Sequence, residues 1–301
     1  MRGRLSVRTD PARPAGGGRH WLIPVLLAIW FALGVWGCGR VPDTANSGLP
    51  QRILCASPAV AEMAFALGAG DRVVGVSDFT DWPLEAAALP RIGGALAPSR
   101  ERILALQPDL ILAQGRAEAL TGFAHTQGIP ILSLPLDTID DVRAAILGFA
   151  AVLGHVEQGQ HLLNEMEAGF AAIPRVEPVS VFIALGHAPG DFSGLMTAGS
   201  GTYLNKIVYL AGGRNVFAES GLPWPTVSKE TLIRRAPAIV LDIQSPPLDE
   251  SHRQSLRTDW ERLGFRADQV RILEEDTLLR PGPRAAMAAA RVAEILGTVN
   301  P

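Results

Sequence analysis

Short apolar runs of strand length alternate with segments of helical periodicity along most of the chain. The short runs are rich in β-branched residues and bounded by turn formers, whereas the helical segments repeat apolar residues three and four positions apart. Such alternation predicts an α/β fold with mainly parallel sheets. The predicted strands are 52–56, 72–76, 110–113, 131–134, 180–185, 239–242 and 270–273. The predicted helices are 59–67, 101–106, 119–127, 202–210, 230–235 and 284–296.

The same series of elements occurs twice. The segment SRERILALQPDLIL, which starts at Ser99, matches SKETLIRRAPAIVL, which starts at Ser228. Before these segments, the glycine turn and strand LGAGDRVVGV match LAGGRNVFAE, and the Trp82-Pro pair matches the Trp224-Pro pair. Because three pairings keep one order along the chain, we predict two similar α/β lobes.

A long segment without proline separates the two copies. Apolar residues such as Val142, Ile146 and Phe149 fall at helical spacing between positions 138 and 172. A continuous helix of roughly 33 residues would span ~50 Å, the length of two domains. The predicted organisation is therefore an N-terminal lobe (51–136), one long rigid linking helix (137–173) and a C-terminal lobe (174–301).

The first 37 residues have the pattern of a targeting segment. Arginines precede the uncharged run WLIPVLLAIWFALGV at 21–35, which has the length of a signal-peptide core. The following Val-Trp-Gly-Cys resembles the lipobox of bacterial lipoproteins, in which the cysteine, here Cys38, receives the lipid. A polar, turn-rich stretch at 38–50 suits a tether. The alternative is an uncleaved anchor with an incidental cysteine, and both place the folded part outside the cytoplasm.

Charge and cysteine content exclude several classes of function. Without residues 1–37 the chain has 22 basic and 29 acidic residues, so its net charge is −7. An acidic chain is a poor non-specific binder of nucleic acid. The other cysteine, Cys55, lies in an apolar run and is expected to be buried and unpaired. His155 and His161 are six residues apart, on different helix faces, so we predict no metal site in the protein itself.

Taken together, the motifs resemble one known family. They are DRVVGVS, DWP, PRIGG, TAGSGTYLNKIVYLAGGRNVF, LPWPTVSKE and RPGPR, in this order, and the likeness extends over about residues 51–297. They resemble the helical-backbone substrate-binding proteins of metal-chelate ABC importers, and LPWPTVSKE and RPGPR are most similar to the cobalamin-binding branch. The resemblance implies two lobes bridged by a long helix, with cobalamin, a ferric siderophore or haem held between them. It also implies, as partners, a permease dimer with its ATPase.

Two tryptophans are the first ligand-binding candidates. Trp82 and Trp224 each precede a proline at equivalent places in the two lobes, which fixes their loops. Two facing aromatic planes suit a large flat ligand such as a corrin or a porphyrin. The alternative is that each indole anchors its loop in its own lobe.

Other candidates follow predicted strands, because ligands in open α/β sheets bind beyond the carboxyl ends of the strands. His187 is a possible ligand of haem iron, a donor to a corrin amide or a loop strut, and Arg280 either contacts the ligand or caps the next helix. The candidates are Gln114, Gly115, Arg116, His187, Asp276 and Arg280.

Glu101 and Glu230 are candidates for docking onto the permease. Each lies two residues after a serine suited to cap a helix, so helix capping is the simpler explanation. Recurrence in both lobes favours a second role, since a two-fold permease dimer offers one arginine pocket to each lobe. In the family that the chain resembles, the docking glutamates align with these two positions.

An enzyme is the competing class of function. Ser193 lies one residue out of register for G-x-S-x-G, and GSGT at 199–202 lacks the lysine of a phosphate-binding loop. We therefore predict no catalytic residues and no cofactor beyond the cobalt or iron chelate that the protein carries. A membrane-tethered ligand sensor of the same fold remains an alternative. The prediction is a monomeric, lipid-anchored binding protein on the outer side of the cytoplasmic membrane, which delivers a metal chelate to an ABC importer.

Overall fold

A computed structural model describes residues 48–94, 97–174, 177–245 and 247–298. The predicted signal segment, Cys38 and most of the tether lie outside these residues. The N-terminal lobe contains a four-stranded sheet in the order β2-β1-β3-β4, and every pairing in it is parallel. Its strands are β1 (Ile53–Cys55), β2 (Val73–Val76), β3 (Leu110–Gln114) and β4 (Ile131–Leu134).

The C-terminal lobe repeats this topology. Its four strands are also parallel and have the order β6-β5-β7-β8, so the prediction of two similar α/β lobes is confirmed. The pattern missed β6, because its sequence Gly-Arg-Asn has no apolar side chain. The strands are β5 (Val179–Leu185), β6 (Gly213–Asn215), β7 (Ile239–Ile243) and β8 (Val270–Leu273).

Helices surround both sheets. The six helices predicted outside the linking segment are present, with ends that differ by one residue from the prediction. In the order of the chain the helices are α1 (Pro58–Ala66), α2 (Leu84–Ala87), α3 (Arg100–Leu106), α4 (Glu118–Gln127), α5 (Ile139–Leu153), α6 (Val156–Ala171), α7 (Tyr203–Leu210), α8 (Lys229–Arg235), α9 (Glu250–Arg262), α10 (Asp276–Leu279) and α11 (Ala285–Gly297).

The prediction of one uninterrupted linking helix is wrong, because the segment folds as two helices, α5 and α6. Gly154 ends α5 in the left-handed conformation, with φ +77°, and α6 begins at Val156. The two helices pack against each other, and a Cβ atom on Gly159 would lie 2.5 Å from the Cβ atom of Ala150. Glycine is therefore required at both places, first for the turn and then for the close approach of the helices. Helix α6 also packs on α11 of the other lobe.

The two lobes share one core. A continuous cluster of buried apolar side chains includes Ile53 and Val60 of the first lobe, Phe149 of α5, and Val181 and Val292 of the second lobe. Each sheet also covers its own smaller cluster on its other face. Because close-packed interiors resist deformation, a shared core holds the lobes in one arrangement. Within the described part of the chain, every helix falls short of the length and apolarity needed to cross a membrane.

The chain enters the first lobe at the amino end of its sheet. The backbone amides of Gln51 and Arg52 donate to the Asp109 carboxylate at 2.8 and 2.9 Å, and Asp109 immediately precedes β3. The first described residues are thereby held at the edge of the sheet opposite the carboxyl ends of the strands.

Candidate ligand-binding cleft

A cleft lies between the lobes at the carboxyl ends of both sheets. It consists of two adjoining cavities of about 800 and 390 Å³, and both are lined by Gln114 at the end of β3, Ser245 after β7, and Leu279 and Pro281. This is the position expected of a ligand site in parallel α/β sheets. The volume of each cavity lies within the range typical of small-molecule sites.

Two exposed aromatic side chains line this cleft, one from each lobe. Trp224 lines the larger cavity with 40% of its surface exposed, and Phe79 lines the smaller one with 82% exposed. Phe79 is held in the left-handed backbone region at φ +64°. Phe79 is not among the residues predicted from the sequence, although its place three residues after β2 satisfies the same strand-end rule that selected Gln114.

The structure does not bring the two predicted tryptophans together. Trp82 lines a different groove, of about 1020 Å³, between α1, α6 and α11, and its ring lies 5.2 Å from the guanidinium of Arg284. This groove has a larger volume than either cavity of the cleft, but it opens beside helices and not at the strand ends. The strand-end cleft is therefore the candidate ligand site, and its two exposed aromatic side chains are Trp224 and Phe79.

Arg280 and Asp276, both predicted at the site, line the smaller cavity and join the lobes. Arg280 pairs with Asp81 of the first lobe at 2.5 Å and with Asp276 at 2.9 Å, and it donates to the carbonyl oxygen of Phe79 at 3.1 Å. The hydrogen bond from Arg280 lowers the pKa of Asp81 below its ordinary value. Arg280 thus fixes the loop that presents Phe79 to the cleft, and it is not a cap of α11.

A second cross-lobe ion pair lies behind the first. Arg284 donates to both carboxylate oxygens of Glu62 in α1, at 2.8 and 2.6 Å, and to Asp276 at 2.8 Å. Burial of Arg284 opposes its charge, but the hydrogen bonds to Glu62 and Asp276 outweigh this effect and raise the pKa. Asp276 therefore links the two arginines, and the two ion pairs cross from one lobe to the other.

The structure places His187 outside the cleft, which corrects its prediction as a ligand contact. Its side chain is fully buried and stacks on Phe192, with 4.4 Å between the ring centroids. Its Nδ1 atom lies 2.8 Å from the carboxylate of Asp242, which is also fully buried. An imidazole enclosed in this way cannot reach a metal in the cleft, so His187 has the role of a strut.

The remaining strand-end candidates divide into one inside the cleft and two outside it. Gln114 lines both cavities, whereas Gly115 and Arg116 line neither. Gly115 turns the chain at φ +67°, and its carbonyl oxygen accepts from Ser133 at 2.6 Å. Arg116 is exposed beyond that turn.

No group of three or more His, Cys, Asp or Glu side chains among the described residues is placed to hold a metal ion. The backbone amide of Ser193 donates to Asp191 at 2.7 Å, which is turn geometry. The described lining of the larger cavity combines apolar and aromatic side chains with a few polar ones, which are Gln114, Asp137, Gln244, Ser245 and His252. Apolar walls with few polar groups are typical of small-molecule binding sites.

Comparisons with known proteins give relatives of the same kind. A vitamin B12-binding protein of Pectobacterium carotovorum is 33% identical over 278 residues, covering 88% of this chain and 95% of that protein. Among solved structures, the periplasmic vitamin B12-binding protein BtuF of Vibrio cholerae has a TM-score of 0.66 at 26% identity over 83% of this chain and 98% of its own. The haem-binding protein BhuT, solved with two haems, has a TM-score of 0.69 at 26% identity over 84% and 99%.

A family model described as periplasmic binding protein matches residues 53–250, which is more than half of the chain. The relatives are binding proteins and not enzymes, as the sequence analysis expected. The family match agrees with the predicted location outside the cytoplasm, in the periplasm. The chain therefore belongs to the periplasmic binding protein family.

Proposed function

We propose that the protein captures a metal chelate in the cleft and delivers it to the permease of an ABC importer. The observation that carries the proposal is a cleft at the carboxyl ends of both sheets, with Trp224 on one side and Phe79 on the other. Aromatic walls suit the flat, largely apolar surface of a corrin or a porphyrin. The relatives named for vitamin B12 make a cobalt corrinoid the first candidate. The metal arrives inside its chelate as cargo.

Haem is the second candidate, because solved relatives of similar identity bind it. The buried position of His187 argues against haem held through that histidine. A ferric siderophore would use the same cleft. A membrane-tethered sensor that never meets a permease is the alternative outcome, and transport assays distinguish it from a delivery protein.

Glu101 and Glu230 are the proposed contacts with the permease. Both side chains are exposed in the first turn of a short helix, α3 or α8, that begins at a serine cap. The chain before Ser99 bridges to the carboxyl end of β2 through Arg91. The chain before Ser228 bridges to Met196, which in turn bridges to Leu185 at the carboxyl end of β5. The two acids therefore lie at the same edge of the molecule as the cleft, one from each lobe.

The electrostatics of α8 suit this role. The hydrogen bonds that Glu230 accepts from its own backbone amide and from Ser228 lower the pKa of the Glu230 carboxyl. One exposed glutamate at the matched position of each lobe suits a two-fold partner with two arginine pockets. The proposed lipid anchor on Cys38 would keep the monomeric protein near that partner on the outer face of the cytoplasmic membrane.

Ligand capture is tested by calorimetry of the purified protein with cyanocobalamin, dicyanocobinamide, haemin and a panel of ferric siderophores. Tight binding of at least one chelate is expected, and failure of all of them to bind would reject the proposal.

Delivery is tested with the double variant Glu101→Arg and Glu230→Arg in cells that depend on uptake of the bound chelate. Affinity in solution should be retained while uptake is lost. The matched control reverses two other exposed acids, Glu157→Arg and Glu261→Arg, with the same change in net charge. Normal uptake by the first variant would mean that the pair only caps helices.

A further inference from the structure

A buried polar cluster lies directly beneath the cleft. Asp242 at the carboxyl end of β7 is fully buried, and its Oδ2 atom accepts from Trp260 Nε1 at 2.7 Å and lies 2.8 Å from His187 Nδ1. Because a carboxylate only accepts, His187 carries its proton on Nδ1 and donates it to Asp242. The other oxygen of this carboxylate, Oδ1, accepts from Gln244 Nε2 at 2.6 Å.

Gln244 connects the cluster to the cleft. Its Nε2 atom donates to Asp242 Oδ1 and, at 3.1 Å, to the carbonyl oxygen of His187. Both partners are acceptors, so the amide nitrogen has to face the cluster and the amide cannot be turned over. Gln244 also lines the larger cavity, and no donor among the described residues bonds to its Oε1 atom. The side chain therefore presents a fixed hydrogen-bond acceptor at the surface of the cleft.

The charges around the cleft favour the same kind of ligand group. The described residues that line the larger cavity include the carboxylate of Asp137 and the imidazole of His252, but no lysine or arginine. Arg280, in the smaller cavity, already binds two carboxylates and a carbonyl oxygen. A ligand carboxylate would thus find no free lysine or arginine among the described lining residues. An amide N–H of the ligand would find an acceptor in Gln244, and a buried polar group that stays unpaired is costly.

We propose that Gln244 is a specificity-determining residue, whose side-chain carbonyl selects chelates with N–H donors on their rim, such as primary amides, over chelates with carboxylates. Asp242 is a positioning residue, because it acts on the ligand through the orientation of the Gln244 amide. The inference rests on the proposed function, since it assigns the chemistry read by the same cleft.

Two corrins that differ only at the rim make a sharp test. The side chains of dicyanocobinamide end in amides, and those of dicyanocobyrinic acid end in carboxylates. We expect the protein to prefer the amide corrin, and Gln244→Met to weaken its binding about 5- to 30-fold, the effect of losing one buried hydrogen bond. Binding of the carboxylate corrin should not weaken, so the preference shrinks.

Gln114→Met is the matched control, because Gln114 lines the same cavity and its side chain makes no hydrogen bond within the described residues. It should change both affinities by similar factors. Asp242→Asn tests the positioning role of Asp242. The new asparagine can turn an N–H donor toward Gln244, so that the Gln244 amide is no longer forced to face the cluster with its nitrogen. The preference for dicyanocobinamide over dicyanocobyrinic acid should then fall as it does in Gln244→Met. The double variant Asp242→Asn and Gln244→Met should show no further fall. Thermal unfolding of each variant monitors the fold.

Each result decides between the two proposals. A protein that binds no chelate at all overturns the proposed function and this inference together. A protein that binds chelates but prefers the carboxylate corrin, or whose preference is unchanged in Gln244→Met, overturns the inference and leaves the proposed function standing. An equal loss of preference in Gln114→Met would assign the selectivity to general polarity of the cleft and also overturn the role of Gln244.

Discussion

The cross-lobe pair of Glu62 and Arg284 gives a prediction with a definite asymmetry. Only 6% of the Glu62 side chain and 18% of that of Arg284 are exposed. Arg284 has a second carboxylate partner in Asp276, whereas Glu62 has no second cation among the described residues. Removal of the arginine should therefore destabilise the protein more than neutralisation of the glutamate.

The magnitudes follow from what each change leaves behind. Arg284→Met leaves a buried carboxylate without a counter-charge, which costs about 3–5 kcal/mol. The lost contact of Arg284 with the ring of Trp82 adds about 0.5–1 kcal/mol. Glu62→Gln removes one charge-assisted interaction but leaves Arg284 paired with Asp276, so we expect a loss of about 1–3 kcal/mol.

Urea unfolding followed by tryptophan fluorescence measures both losses, with the midpoint and the slope reported separately. The double variant Glu62→Met and Arg284→Met is the control, because apolar residues of similar size often replace a buried ion pair at little cost. It should be more stable than Arg284→Met alone. The reasoning is refuted when Glu62→Gln destabilises the protein as much as Arg284→Met, or when both losses fall below about 0.5 kcal/mol.

Four further predictions concern the cleft, the core and the lobes. Trp224→Ala should weaken chelate binding at least about fivefold, since a stacking contact contributes about 1 kcal/mol beyond burial. Trp82→Ala should weaken it less. Equal losses of affinity by calorimetry would contradict the choice of the strand-end cleft as the ligand site. Burial raises the pKa of the Cys55 thiol to about 12, so iodoacetamide should modify it at pH 8 only after unfolding, as mass spectrometry would show. The pKa of the Asp81 carboxyl is lowered, so its ion pair with Arg280 should persist at neutral pH and be lost only as the pH falls through this lowered pKa. In Arg280→Met, NMR of the carboxyl groups should show the titration midpoint of Asp81 rising toward about 3.9, the ordinary pKa of an aspartate. The shared core predicts X-ray scattering curves that superimpose with and without ligand, and a large fall in radius of gyration would contradict it.

The sequence pattern predicted those parts of the fold that depend on local periodicity. Strands such as 131–134 and 270–273 are present with the same bounds, because buried parallel strands are short apolar runs between turn formers. The duplication was also predicted from the sequence, and in the structure the matched segments share an unusual backbone conformation. Both α3 and α8 end at a residue other than glycine in the left-handed region, Gln107 at φ 46° and Ala236 at φ 42°.

Features that depend on tertiary packing were not readable. Helix α9 was missed because it is strongly polar and buries only Leu256, Asp259 and Trp260. The break at Gly154 was missed because apolar spacing continues on both sides of it, so that only the packing of α6 on α5 reveals the turn. At the site, rules about strand ends located the cleft but not the direction of each side chain. Trp82 therefore faces another groove, and His187 faces the interior.

The position of Gln51 and Arg52 beside Asp109 bears on the segment that would connect the folded protein to a lipid anchor on Cys38. That segment would need a minimum length. Gln51 and Arg52 are fixed at one pole of the first lobe, while the cleft and the two proposed docking acids lie at the other. When the cleft faces a permease, Gln51 and Arg52 lie on the side of the lobe away from it, so a lipid anchor on Cys38 would require the intervening residues to be long enough to span the lobe. The ten residues 38–47 reach at most about 33–36 Å when extended. If Cys38 carries the proposed lipid anchor, deletions in this stretch should reduce delivery to the permease before they affect ligand binding.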